Sequence, residues 1–113
     1  MERAGRRMRA VRVHGYGGPE VLRVEEMPIP TPGPGQVRVR VVAGGVNPLD
    51  WKVREGWVKE IAPLPLPFTL GCDLSGIVDR VGPDARRLRR GDPVVGRAHR
   101  FCGGTFADRK SVV

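Results

Sequence analysis

Long apolar runs are absent from the 113-residue sequence, and cysteine and aromatic residues are scarce. No apolar run approaches the roughly 18 residues that a transmembrane helix requires, and none near Met1 has the character of a secretion signal. The two cysteines, Cys72 and Cys102, are too few for a disulfide scaffold. Aromatic residues make up 5% of the chain, so its core must be built mainly from Val, Leu, Ile and Ala. These absences predict a soluble, cytoplasmic domain with no membrane partner.

Positive charge is in excess, with 20 Lys and Arg residues against 12 Asp and Glu and a formal net charge of +8. A nucleic-acid-binding protein would gather such charge on one recognisable element or interleave it with stacking aromatic residues. Here the arginines are scattered, apart from clusters within residues 3–9 and 86–90. We interpret the excess as a solvated surface and do not expect a nucleic-acid partner. A basic nucleic-acid-binding barrel is the least favoured alternative.

Alternation of apolar and charged residues is clearest over residues 36–42, where three valines alternate with two arginines. This pattern predicts a strand with one buried and one solvated face. Residues 8–14 alternate in the same way and a second strand is predicted over 21–26, whereas residues 1–7 are interpreted as a disordered leader. Glycine and proline separate about six such short segments, which is typical of a mainly β fold, a partly open β-barrel with one or two short helices.

One short helix is predicted after residue 47. Asn47 suits the N-cap position, Pro48 the first helical position and Gly56 the C-terminal stop. Asp50 falls three residues after the N-cap, where its side chain can complete a capping box. The segment is therefore expected to form about two helical turns.

Five glycine-containing motifs follow one another in the chain: residues 16–22 (YGGPEVL), 32–41 (PGPGQVRVRV), 43–50 (AGGVNPLD), 71–78 (GCDLSGIV) with its continuation to residue 94, and, more weakly, 103–107 (GGTFA). In this order they resemble the N-terminal, GroES-like domain of the medium-chain dehydrogenase/reductase superfamily. The sequence is most similar to the zinc-independent NAD(P)H:quinone oxidoreductase branch, the zeta-crystallin-like proteins. The resemblance implies that residues 8–113 form a GroES-like domain. Relatives of this type continue into a Rossmann domain, so the chain is expected to be incomplete.

The resemblance implies an oxidoreductase that reduces a small-molecule quinone or enone by hydride transfer. Its cofactor would be NADP, or NAD, held mainly by the Rossmann domain. The 113-residue chain alone is therefore expected to be inactive, and to be either marginally stable or a homo-oligomer, because an uncovered apolar strand edge favours association. The alternative is a stand-alone GroES-like interaction module without redox activity.

The resemblance also implies that no zinc is bound. In zinc-dependent relatives the catalytic metal is bound by a cysteine and a histidine, at positions that match Asn47 and Cys72 here. An amide oxygen is a poor ligand for zinc compared with a thiolate or an imidazole. Another set can be drawn from Cys72, Asp73, Cys102, His99 and His14. In that set only His99 and Cys102 are closely spaced, and two ligands do not make a tetrahedral site.

Without a metal, hydrogen-bond donors must stabilise the negative charge that develops on the substrate oxygen. Asn47 is the predicted catalytic donor, and Asp50 is predicted to hold Asn47 or a neighbouring donor in place. Trp57 is predicted to form an apolar wall for a flat substrate. Each residue has a structural alternative: Asn47 and Asp50 as helix-capping residues, and Trp57 as a packing residue. Trp51 and Tyr16 are interpreted as packing residues.

Overall fold

The computed structural model describes residues 6–98 and 103–112. In chain order, β1 spans Arg7–Val13, β2 Arg23–Pro28, β3 Val37–Gly45, α1 Pro48–Glu55, β4 Phe68–Thr69, β5 Asp73–Val81, β6 Pro93–Arg97 and β7 Arg109–Val112. A short 3-10 turn at Pro19–Val21 precedes β2. The predicted fold class, mainly β with one or two short helices, is confirmed. Most of the predicted leader lies outside the described residues, and β1 begins at Arg7, one residue before the predicted strand.

The strands form two antiparallel sheets, one in the order β2-β1-β4 and the other in the order β6-β5-β3-β7. The longest ladder joins β3 to β5 and runs from the pair Val37–Val81 to the pair Gly45–Asp73. On one face of this ladder the side chains of Val39 and Val78 are almost completely buried and form the centre of the core. The alternation in the sequence therefore predicted the buried face of β3 correctly.

Residues 105–108 connect the two sheets. The Val11 amide of β1 donates to the Phe106 carbonyl and the Val41 amide of β3 donates to the Asp108 carbonyl, both at 2.8 Å. Thr105, at the start of this segment, is fully buried. The described strands thus form a partly open barrel, as predicted, in which a crossing segment rather than a continuous ladder joins the two halves.

Local sequence signals account for most element ends. Gly56 ends α1 with φ of 90°, a left-handed conformation that glycine adopts without the steric cost of a side chain. The predicted start of the second strand at Val21 is wrong, because Val21 belongs to the 3-10 turn and β2 begins at Arg23. Pro19 starts that turn, and its carbonyl accepts a hydrogen bond from the Leu22 amide at 3.1 Å.

The described helices include none that is long and apolar enough to cross a membrane.

Asp79 lies on the polar face of β5 at an irregularity in the ladder with β3, where the register shifts between Arg38 and Val39. Such a bulge redirects a side chain to the other face of the sheet. The two carboxylate oxygens of Asp79 accept hydrogen bonds from the Nε atoms of Arg38 and Arg109, each at 2.7 Å. Arg38 is only 4% exposed, so this carboxylate compensates a buried charge and ties β3, β5 and β7 together.

The pKa of Asp79 lies below its ordinary value of 3.8. Burial alone would raise it, but the hydrogen bonds from Arg38 and Arg109 and their positive charges outweigh that effect. Because the pKa of Asp79 is lower in the folded state, its carboxylate stabilises the fold fully at pH values well above 3.8. This stabilisation is lost progressively as the pH falls below 3.8.

We predict that Asp79→Asn lowers the free energy of unfolding by about 2 to 3 kcal/mol at neutral pH, since it removes the negative charge that pairs with the buried Arg38. The deficit should be smaller at about pH 3 than at neutral pH, because the contribution of a carboxylate with a depressed folded pKa declines below its ordinary pKa of 3.8. Urea denaturation at the two pH values measures both effects. Asp84→Asn is the matched control, because the Asp84–Arg86 pair is 3.8 Å apart and exposed. A deficit of the same size in both variants would contradict this account.

Candidate functional site

The candidate site lies where the end of β3, the start of α1 and the start of β5 meet. Gly45, the last residue of β3, pairs with Asp73, the first residue of β5. Asn47 follows two residues after Gly45 and caps α1. The register of the β3–β5 ladder therefore brings the N-cap of the helix beside the start of β5.

Asn47 is fixed by two hydrogen bonds. Its side-chain Nδ2 donates to Asp73 Oδ2 at 2.6 Å, and its backbone amide donates to Asp50 Oδ2 at 2.7 Å. A carboxylate only accepts hydrogen bonds, so the amide NH2 must face Asp73 and the side-chain orientation is determined. Asn47 is partly exposed, and Asp73 accepts only one of the two N–H groups of its side chain.

Asp50 is 7% exposed, and its Oδ2 atom accepts the hydrogen bond from the Asn47 backbone amide. Its Oδ1 atom is buried and has no hydrogen-bond partner among the described residues. The cavity that Asp50 lines with Val53, Leu70 and Cys72 has a volume of about 10 Å³, far too small for an organic substrate. Asp50 therefore contacts the backbone of Asn47 and lines no space for a substrate, and its role of holding Asn47 stays a prediction.

Cys72 is buried beside Asp50. Burial, and then the negative charge of Asp50, raise the pKa of its thiol to about 11. The chain turns into this position at Gly71, where φ is 103° and an added Cβ would lie 2.3 Å from Thr105 Oγ1. Glycine is required there on both counts. With this raised pKa, Cys72 is mainly a neutral thiol at physiological pH, a form that is a poor nucleophile.

Trp57 lies two residues after the end of α1 and forms an aromatic pair with Trp51 of that helix. Its ring packs edge to face on Trp51, with the centroids 5.0 Å apart, and Trp57 is 62% exposed. The Lys52 ammonium lies 5.7 Å and 5.5 Å from the centroids of the two rings. Trp57 is therefore not a core residue, and the pair presents an exposed aromatic surface formed by Trp51 of α1 and by Trp57, two residues after the end of that helix.

Within residues 6–98 and 103–112, no group of three or more His, Cys, Asp or Glu side chains is arranged to hold a metal ion. His14, one of the alternative ligands, directly follows β1, and its Nε2 is 2.7 Å from Glu25 Oε1. His99 and Cys102 lie outside the described residues. The absence of zinc stays a prediction.

Sequence reasoning missed Asp73 as the partner of Asn47, although it considered Asp73 as a metal ligand. The signal was indirect, because the two residues are 26 positions apart and meet only through the strand register. Sequence reasoning also missed Arg97 of β6, which pairs with Asp73 across the β5–β6 ladder. The positive charge of Arg97 acts on Cys72 in the opposite direction to Asp50. The site thus combines one amide donor, two carboxylates and one nearby cation.

Comparison with known proteins places this geometry in a family. Residues 33–111 match the family described as "Alcohol dehydrogenase GroES-like domain". Over 106 residues the chain is 42% identical to the chloroplastic quinone-oxidoreductase QR1 of Triphysaria versicolor. The aligned part covers 93% of this chain and 32% of that protein.

Solved structures agree in fold. The human synaptic vesicle membrane protein VAT-1 homolog-like protein superposes with a TM-score of 0.87 at 31% identity, over 95% of this chain and 33% of that chain. Escherichia coli quinone oxidoreductase, in complex with NADPH, superposes with a TM-score of 0.81 at 30% identity, over 92% of this chain and 30% of that chain. The chain spans about a third of the length of these proteins.

We predict that Asp50→Asn lowers the pKa of Cys72, because it removes the negative charge that raises this pKa most after burial. In a Cys102→Ser background, the pH midpoint of iodoacetamide alkylation should fall below about 11. Asp73→Asn is the matched control and should give a smaller shift, since Asp73 contributes least to the raised pKa. An unchanged midpoint in Asp50→Asn, or an equal shift in both variants, would contradict the assigned cause.

Proposed function

Since the chain belongs to the family of alcohol dehydrogenase GroES-like domains within the medium-chain dehydrogenase/reductase superfamily, we propose that it is the substrate-binding part of an NAD(P)H-dependent oxidoreductase that reduces quinones or enones without zinc. The relatives named quinone oxidoreductase, one of them solved with NADPH, support this substrate class and cofactor. The observation that carries the proposal is the oriented amide of Asn47.

Asn47 acts as the donor to the substrate oxygen. One of its two side-chain N–H groups donates to Asp73, and we assign the other, on a partly exposed residue, to the substrate oxygen. A donor whose orientation is already determined needs no reorganisation when charge develops on the substrate, which is the property that lowers a barrier of this kind. Asp73 and Asp50 are the positioning residues, one for the side chain and one for the backbone.

The residue at the first zinc-ligand position favours a neutral donor over a metal. Asn47 offers an amide, which is a poor zinc ligand compared with a thiolate or an imidazole, and its Nδ2 donates to Asp73 Oδ2 at 2.6 Å. The position that matches the second zinc ligand of relatives is Cys72, whose thiol is buried. The chain therefore stabilises a developing oxyanion with a dipole and not with a cation.

Trp57 and Trp51 supply the apolar surface in this proposal. A quinone ring is flat, and an exposed indole face offers it an area to stack on without a hydrogen bond. Lys52, close to both rings, restricts how the pair can move and brings a positive charge near an electron-rich product. Trp57 is the substrate-contacting residue, and Trp51 supports it.

When bound, the nicotinamide supplies hydride to the quinone or to the β-carbon of the enone, so negative charge accumulates on the substrate oxygen. The described residues contain no strand–glycine loop–helix unit of the kind that holds a dinucleotide pyrophosphate. We therefore expect the nucleotide to be held mainly by parts of the protein other than these residues, with NADP preferred over NAD.

We predict that Asn47→Ala lowers kcat for quinone reduction by about 10²-fold or more in the complete enzyme, with a smaller change in KM, because it removes an interaction made mainly in the transition state. Trp51→Ala is the control and should leave kcat within about threefold, since Trp51 only supports Trp57. Steady-state oxidation of NADPH and NADH, with a small quinone or enone, measures these values.

Equal kcat values for the two variants would remove Asn47 from the mechanism. Stoichiometric zinc in the purified enzyme, lost together with activity when Asn47 is replaced, would contradict the proposal more broadly. Absence of NADPH and NADH oxidation with every quinone and enone tested would leave the domain assignment in place and reject the proposed reaction.

A further inference from the structure

A cleft of about 600 Å³ lies on the polar face of the sheet formed by β3, β5 and β7, opposite the valine core. Its lining consists of six arginines, one carboxylate and one apolar residue: Arg6, Arg38, Arg40, Arg80, Arg90, Arg109, Asp79 and Val81. These arginines come from the segment before β1, from three strands and from the loop before β6. The charges that are scattered in the sequence are therefore concentrated at one place in the fold.

Strand register forces this concentration. Arg38 pairs directly with Arg80 on β5, and Arg40 pairs directly with Arg109 on β7. Like charges placed directly opposite each other destabilise a sheet, because their side chains lie within a few ångströms on the same face. Two such arginine pairs lie side by side here, and a bound anion would reduce the repulsion between their positive charges.

The carboxylate present compensates only part of the charge. Asp79 carries one negative charge and accepts one hydrogen bond from Arg38 and one from Arg109. The side chains of Arg40, Arg80 and Arg90 form no hydrogen bond or ion pair with the described residues, although they line the same cleft. Three guanidinium groups are thus left to face the space with their donors available.

We propose that this cleft binds a compact polyanion that carries two or more phosphate groups. A guanidinium group presents a planar fork of donors that matches the oxygens of a phosphate in a bidentate manner. The volume of the cleft is in the range of small-molecule sites. Val81 is its one apolar lining residue, so the cleft recognises charge and offers little to an apolar skeleton.

The cleft is separate from the site at Asn47. β3 rises about 3.3 Å per residue, so Arg38 and the end of the strand at Gly45 lie roughly 20 Å apart. A ligand in the cleft would therefore not compete directly with a substrate beside Asn47. It would instead contact β3, the strand that also leads to Asn47, and this binding function is additional to the proposed reaction.

The test is isothermal titration of the full chain with pyrophosphate at an ionic strength of about 0.15 M, where long-range attraction is screened. The cleft variant combines Arg40→Gln, Arg80→Gln and Arg90→Gln. We expect saturable binding to the wild type, and an affinity lower by about tenfold or more in the cleft variant, because charge-assisted hydrogen bonds are lost. Arg90→Gln alone, in an exposed loop, should weaken binding while leaving the fold intact.

The control variant combines Arg23→Gln, Arg86→Gln and Arg87→Gln, three exposed arginines outside the cleft. It has the same net charge as the cleft variant, so its affinity should change by less than about twofold. Equal losses in the two variants would show that only net charge matters and would overturn the proposal. No saturable binding of pyrophosphate would overturn it as well. So would a single-stranded oligonucleotide that binds the wild type and is not displaced by pyrophosphate.

Discussion

The hydrogen bond between Asn47 and Asp73 is the interaction on which the candidate site depends. It joins the loop after β3 to the first residue of β5, and at 2.6 Å it determines which way the amide faces. Because the carboxylate can only accept, it also determines which atom of the amide is left for a ligand. Without this bond Asn47 would be a helix cap alone, in a capping box with Asp50. With it, the residue is an oriented donor at the edge of the sheet.

One strand, β3, organises both functional regions of the molecule. Its apolar face packs Val37 and Val39 into the core. Arg38 and Arg40 on its polar face line the arginine-rich cleft. Its C-terminal end lies two residues before Asn47, the N-cap of α1. The fixed two-residue period of a strand separates the core from the cleft, and the length of the strand separates the cleft from the candidate site. The β3–β5 register is therefore the structural basis of both proposals.

Local chemistry made some of these features predictable and left others out of reach. The valine alternation predicted β3, and Asn47, Pro48 and Gly56 predicted α1, because each signal acts over a few residues. The Asn47–Asp73 contact depends on a register that two irregularities shift along the ladder, which no periodicity encodes. The cleft was missed for the same reason, since an arginine charge that looks scattered in the sequence is gathered only when the strands pair.

A double-mutant cycle on Asn47 and Asp73 tests the central claim most directly, with kcat/KM for quinone reduction by the complete enzyme as the readout. If Asp73 acts by orienting the amide, Asp73→Ala should reduce kcat/KM in the wild type and have almost no effect once Asn47→Ala is present. The coupling energy should then be about 1 kcal/mol or more. Additive effects of the two substitutions would contradict the claim, because they would mean that each residue acts without the other.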